Sequence, residues 1–228
     1  MKTELRDKII SACSAEHIPD QERGRWSITK GPYDLWGRLA LKYTYQQTHT
    51  TCLWKKAGFL PPEYGVKTRK MDGKILGELV MHDQLDEILK HMIFMLRARG
   101  DVLISGLGLG CVARGCLANP AVKSVTILER DANVLQMVVP HFLQTGIVYT
   151  NFEIVECEAE AWIKKTRRRF TCAWHDLQSD ANLGDPKLAV KHASLISAGF
   201  DKVRDFQGAW DFPRASRRAW ARSGLKVI

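Results

Sequence analysis

The stretch Val102 to Gly110, "VLISGLGLG", constrains this chain more than any other. An apolar run of strand character ends in three glycines at alternate positions, Gly106, Gly108 and Gly110, and Cys111 to Leu117 can continue as a helix. Glycines at such a corner let the chain turn tightly, and their missing Cβ atoms let a ligand approach the backbone. A glycine corner feeding a helix N-terminus also suits anions and nucleotides. A plain glycine-rich turn in an α/β protein would look the same, so the surroundings must decide.

Those surroundings alternate strand and helix. "DVLISG", "SVTILE" (Ser124 to Glu129), "FEIVEC" and "FTCAWHD" are short apolar runs with little alternation. Between them lie helical patterns, "DANVLQMVVPHF" with Val134, Leu135, Val138 and Val139 apolar, and "AEAWIKKTRRR". Repeated β-α-β of this kind predicts an α/β fold: a doubly wound, mostly parallel sheet covered on both faces. Ligands of such sheets bind beyond the carboxyl ends of the strands. Gly106, Glu129, Glu158 and the pair His175-Asp176 all fall at or just past those ends. Glu129 comes 23 residues after Gly106, where a carboxylate can accept both hydroxyls of a ribose. A dinucleotide site would use the same device, but its fingerprint asks for Gly or Ala where this chain has Cys111.

The N-terminal part reads differently. Leu5, Ile9, Ile10 and Cys13 mark a short amphipathic helix, followed by an aromatic segment, "GPYDLWGRLALKYTYQQ". Extended pieces follow to about residue 82, with "MDGK" a hairpin signal centred on Asp72-Gly73. Residues 1–82 are therefore read as a helical and β-hairpin extension, and 83–228 as the ligand-binding domain with a basic C-terminal tail. That domain opens with a helix whose apolar positions are Leu85, Ile88, Leu89, Met92, Met95 and Leu96, with Asp83 as its expected N-cap.

Composition bounds the function. A chain of 228 residues with 45% hydrophobic and 26% charged residues can bury a proper core. No apolar run reaches the roughly 18 residues that span a bilayer, and the charged N-terminus is no signal peptide. Six cysteines without a C-x-x-C pair predict buried free thiols and a cytoplasmic protein, and argue against a metal site. The net charge of +9 is uneven, concentrated in "KKTRRRF" (Lys164 to Phe170) and in "PRASRRAWARSGLK" (Pro213 to Lys226) around Trp220. Such runs can contact phosphates, but each also suits a solvated helix end or tail. The first follows a helix leading away from the ligand end of the sheet, which leaves Arg217, Arg218 and Arg222 as the better candidates for a nucleic-acid partner. A homo-oligomer is compatible with the sequence.

Taken together, Tyr64 to Asp176 resembles the class I S-adenosylmethionine-dependent methyltransferases, and within them the spermidine-synthase-like group. "YGVKTRKMDGKILGE" is similar to that group's N-terminal hairpin region, "VLISGLGLG" to its first motif with Ile104 where most methyltransferases have an acid, "VTILERD" to its ribose-binding strand, "ECEAEAWI" to its adenine-binding segment, and "FTCAWHD" to the strand ending beside the reacting group. The run "WHDL…FQGAW" also resembles phage-type methyltransferase-like proteins. The resemblance implies a Rossmann-like fold, truncated on its C-terminal side, and S-adenosylmethionine as cofactor. It implies that Gly106, Leu107, Gly108 and Gly110 form the methionine loop, that Glu129 holds the ribose beside Arg130, and that Glu158 accepts the adenine amino group beside Ala159. Asp176 and His175 would face the reactive sulfonium, His175 serving as base where the acceptor must lose a proton. The expected activity is methyl transfer to an acceptor the residues do not identify. A catalytically idle module binding S-adenosylmethionine or nucleic acid is the alternative, as is an aminopropyltransferase-like enzyme. Leu107 and Leu109 replace the acid of the polyamine enzymes' loop, and Asp180 is one residue out of register for the amine-gripping acid, which argues against a polyamine substrate. Trp162 and Trp174 are expected in the core.

Overall fold

A computed structural model of the chain describes residues 2–32, 49–56, 69–71, 74–142, 151–177, 186–199 and 201–209. Helix α1 (Lys2–Cys13) buries Ile9, Ile10 and Cys13 as its sequence spacing requires. Five antiparallel strands follow, β1 (Gln21–Arg23), β2 (Trp26–Pro32), β3 (His49–Lys55), β4 (Arg69–Met71) and β5 (Lys74–His82), in the order β1-β2-β3-β5-β4. Met71 pairs with Lys74, so "MDGK" closes a two-residue hairpin, although Asp72 and Gly73 themselves lie outside the described residues. Most of the aromatic segment that starts at Gly31 lies outside them as well.

Helix α2 (Leu85–Arg97) opens the second half. Two of its features correct the sequence expectation. Leu89 and Leu96 are 37% and 36% exposed, while Glu87, His91 and Phe94 are buried. Two overlapping helical stripes were available, and the fold turns inward the one that carries two polar groups. Asp83 is not the N-cap either, since Gln84 occupies that position. The Asp83 carboxylate instead accepts the backbone N–H groups of Ala15 and Thr51, both at 2.8 Å, and so ties the end of α1 to β3.

The remaining elements are β6 (Gly100–Ser105), α3 (Cys111–Leu117), β7 (Val122–Glu129), α4 (Ala132–Phe142), β8 (Phe152–Glu156), α5 (Ala159–Lys165), β9 (Phe170–His175), α6 (Pro186–Ala198) and β10 (Val203–Ala209). Their strands form one sheet in the order β10-β9-β6-β7-β8, each neighbouring pair parallel. This is an α/β, Rossmann-like fold with an antiparallel sheet placed before it. Consecutive strands run outward from β6 in both directions, so the order reverses there, and the glycine corner sits at that switch point. Helix α5 stops at Lys165, four residues before the end of "TRRR", because the chain must turn extended at Thr166 to enter β9. Arg168 then folds back over the Phe170 ring, 5.4 Å from its centroid, and donates to Thr126 Oγ1 at 2.8 Å. That part of the basic run lies at the end of the sheet away from the glycine corner. The tail with Arg217, Arg218 and Arg222, and Asp180, fall outside the described residues.

One apolar cluster runs from Ile9, Ile28 and Leu53 through Val102, Ile104, Val125 and Phe206, so the antiparallel sheet and the front of the parallel sheet share a core. Trp174 is buried in it, tilted against Phe94 at 5.1 Å, and Trp162 packs on Phe170. All six cysteines are free, five of them buried. Burial pushes Cys111 to about 12 and Cys172 to about 11, which keeps both thiols protonated and inert. Among the described residues no helix is long and apolar enough to cross a membrane.

Candidate functional site

A cavity of about 470 Å³ opens at the carboxyl ends of β6, β7, β8 and β9, with the antiparallel sheet as its far wall. Gly106, Gly108, Glu129, Arg130, Glu158, Ala159 and Asp176 line it on the parallel-sheet side, and Trp26, Leu53, Lys55 and Met81 on the other. Seven of the ten residues singled out from sequence thus meet at one hollow. Leu107, Gly110 and His175 do not line it.

The glycine corner explains itself in the protein before any ligand is considered. Gly106 has φ +98°, and a Cβ there would stand 2.0 Å from the carbonyl oxygen of Asp176. The loop after β6 and the loop after β9 therefore touch backbone to backbone. Gly108 has φ +51° and packs under the Met81 thioether, which a Cβ would meet at 2.6 Å. Gly110, in left-handed conformation, is the N-cap of α3.

Glu129, at the tip of β7, holds this loop. One carboxylate oxygen accepts the Leu107 N–H at 3.0 Å, and the other accepts those of Arg130 and Asp131 at 2.8 and 2.9 Å. Asp131 reaches the other wall, where Trp26 Nε1 donates to it at 2.7 Å and Arg25 stands 3.6 Å away. Burial alone would raise the Asp131 carboxyl, but these bonds and those from Asn133 bring it below the usual carboxylate range. Glu158 caps α5 by accepting from Glu160 N–H at 2.8 Å and Ala161 N–H at 3.4 Å, while its other oxygen lies 3.5 Å from Lys191 Nζ. Asp176 is anchored by its own N–H, which donates to the Ser105 carbonyl at 2.8 Å, and its mostly buried side chain is pushed up in pKa by burial.

His175 departs from its expected role. Its side chain is wholly buried on the inner side of the sheet end, not in the cavity. The Gln207 amide donates to the Ile196 carbonyl at 3.2 Å, so its oxygen faces His175 Nε2, also at 3.2 Å. Nε2 is then the donor, and Nδ1 accepts from the Ser105 hydroxyl at 2.9 Å. Burial, the dominant effect, lowers the ring to about 4. Such an imidazole is a neutral structural bridge between β6, β9 and β10, with no nitrogen left for a reacting proton. His192, also buried and also lowered to about 4 by burial, accepts the Leu177 N–H at 3.3 Å.

These two histidines predict acid lability. Each has a folded-state value near 4 against an unfolded value of 6.5, so between those limits the unfolded chain binds more protons. Their stability contribution is complete above about pH 6.5 and is lost as pH falls towards 4, by on the order of 3 kcal/mol per histidine. Urea midpoints at pH 7.5, 5.5 and 4.5 measure this, and His175→Gln should show the shallower decline. A flat wild-type profile across that window would contradict the assignment.

Three features of the site were not found in the sequence. Arg114 is buried in α3 and donates to the carbonyls of Ala12, Leu109 and Cys13 at 3.0, 3.0 and 3.3 Å, locking the end of α1 onto the glycine corner. The Trp26–Asp131 bond crosses between the two sheets. His91 and Glu87 stand behind Asp176. Only a polar residue on an otherwise apolar helical face, as in "CVARGCL", could have pointed to such groups.

No protein-family model matches the chain, and no curated protein is detectably similar to it. Among solved structures it is similar to spermidine synthase from Thermotoga maritima, with 15% identity and a TM-score of 0.48, covering 82% of this chain and 53% of that one. A putative SAM-dependent methyltransferase from Streptococcus mutans matches with 11% identity and a TM-score of 0.48, over 65% of this chain and 43% of the other. A Podospora anserina methyltransferase with SAH bound matches with 18% identity and a TM-score of 0.39, over 50% and 47%. The chain thus spans about half the length of each of these proteins.

Proposed function

We propose that this chain is an S-adenosylmethionine-dependent methyltransferase whose cofactor occupies the cavity above β6 and β7. One observation carries the reading: the backbone of Gly106 and Gly108, the carboxylate of Glu129 and the carboxylate of Asp176 border a single hollow of about 470 Å³ at the strand ends. The volume falls within the range of small-molecule and cofactor sites. The groups also suit the ligand's chemistry. Side-chain-free backbone leaves room for a methionine moiety, an acidic strand tip with one acceptor position left beside its three backbone bonds suits a ribose hydroxyl, and a partly buried carboxylate suits a positively charged sulfur. Glu158 fits less simply, because one of its oxygens already caps α5 and only the oxygen near Lys191 is left to meet an adenine amino group.

When bound, S-adenosylmethionine supplies a methyl group already activated by its positively charged sulfur. The protein's tasks are then alignment and exclusion of water. Gly106 and Gly108 fix the depth of the site, and Glu129 fixes its register against β7. The wall of Trp26, Leu53 and Met81 gives the acceptor an apolar surface to lie on. Asp176, raised in pKa by burial, is the group placed to take a proton from an acceptor that must lose one. His175 is removed from that role by its position. Incubation with methyl-labelled cofactor against pooled DNA, RNA, protein and small amines tests the activity. Label transferred to one pool supports the reading and names the acceptor class. No transfer, despite cofactor binding, would favour a module that binds without catalysis.

A further inference from the structure

We propose that His91 is a positioning residue that keeps the Asp176 carboxylate ionised and aimed into the cavity. The inference rests on the reading of the cavity as an S-adenosylmethionine site. His91 is 2% exposed on α2 and does not line the cavity, whereas Asp176 does. His91 Nε2 lies 3.9 Å from Asp176 Oδ2 and 3.6 Å from Glu87 Oε1, and neither ring nitrogen has a hydrogen-bond partner. Buried polar atoms are almost always bonded, so an imidazole with both nitrogens unsatisfied, set between two carboxylates, calls for an explanation. Packing fixes its plane: the ring stands edge-on to Trp174, centroids 5.5 Å apart at 88°. The arrangement puts an N–H dipole or a positive charge directly behind the carboxylate that faces the ligand.

Two carboxylates face this ring, Glu87 and Asp176, and of the two Asp176 borders the cavity. On α2, Glu87 is paired with Lys90, and although burial opposes it, the neighbouring His91 ring and Lys90 hold Glu87 at about 2. Asp86 pairs with His82 at 4.0 Å, and burial lowers His82. Asp83 is committed to the N–H groups of Ala15 and Thr51, and Cys111 on α3 remains a thiol. Asp176 itself is raised first by burial, and His91 is the strongest neighbour acting in the opposite direction. Without His91 the carboxyl would hold its proton more tightly and lose its attraction for a cationic ligand.

The test uses the full chain with two variants. His91→Phe keeps the ring edge on Trp174 and removes both nitrogens, and His91→Gln keeps a donor. Carbon NMR of the Asp176 carboxyl, assigned by its disappearance in Asp176→Asn, gives the titration midpoint without any ligand. We expect the midpoint to move to higher pH in His91→Phe and less in His91→Gln. Calorimetry at pH 6 should then show the preference for S-adenosylmethionine over uncharged S-adenosylhomocysteine falling about tenfold in His91→Phe. Unchanged midpoints in the folded variants would overturn the proposal. If the wild type binds neither compound, the cofactor reading fails, and the midpoint still decides whether His91 governs Asp176.

Discussion

Replacing Arg114 with methionine should lower the stability of the chain by about 3 to 5 kcal/mol, because three buried backbone carbonyls lose a charged donor. Methionine keeps the length and apolar stem of the side chain, so the loss is that of the guanidinium. That group donates to the carbonyls of Ala12, Cys13 and Leu109, and its carbon lies 5.7 Å from the centre of the Phe142 ring. Ala12 and Cys13 are the last residues of α1, so their carbonyls have no partner within the helix and carry the negative end of its dipole. Each buried carbonyl left without a donor costs about 1 to 3 kcal/mol, and relaxation recovers part of the sum. Because Leu109 belongs to the glycine corner, the variant should also bind cofactor more weakly than its lost stability alone would cause. Urea unfolding measures the first effect, and a loss below about 1 kcal/mol would show that water or a shifted helix replaces the guanidinium.

Gly106→Ala is expected to cost at least about 3 kcal/mol and to abolish cofactor binding. Two penalties add. A residue with a Cβ pays about 1 to 2 kcal/mol for left-handed backbone, and the new atom would lie 2.0 Å from the Asp176 carbonyl oxygen. Backbone cannot rotate out of the way as a side chain can, so the loops after β6 and β9 would have to part. Gly24→Ala is the control. Gly24 also has positive φ, +53°, but its Cβ would meet only the Asn133 side-chain amide, at 3.0 Å. Its cost should stay near the backbone penalty. Equal losses in the two variants would mean that the corner tolerates separation and that the glycines serve conformation alone.

The contrast between these residues shows what a sequence can reveal. The parallel sheet was legible because its central strands β6 and β9 are buried over most of their length and so appear as unbroken apolar runs, separated by helical patterns. The positions of Glu129 and Asp176 at strand ends were legible because each acid closes such a run. Arg114 was not, since its partners are backbone carbonyls, two of them about a hundred positions away, which leave no mark on residue type. The apolar face of α2 was read too widely for a related reason: Leu85, Ile88, Met92 and Met95 are buried as their spacing requires, but Leu89 and Leu96 belong to a second helical stripe that faces outward, while Glu87 and His91 turn inward. Asp83 had the right residue type for a cap but was claimed by Ala15 and Thr51 from distant segments. His175 stood in the right place along the chain and pointed the wrong way, because Ser105 and Gln207 offer its two nitrogens complementary partners inside.

Calorimetric titration of the wild-type chain with S-adenosylmethionine, S-adenosylhomocysteine and NAD, repeated on Glu129→Ala, tests the central claim most directly. The account predicts binding of both adenosyl compounds, none of NAD, and affinity at least about tenfold weaker in the variant, since an ionised acceptor is worth about 1.5 to 3 kcal/mol per bond. Tight binding of NAD with no heat from either adenosyl compound would contradict it.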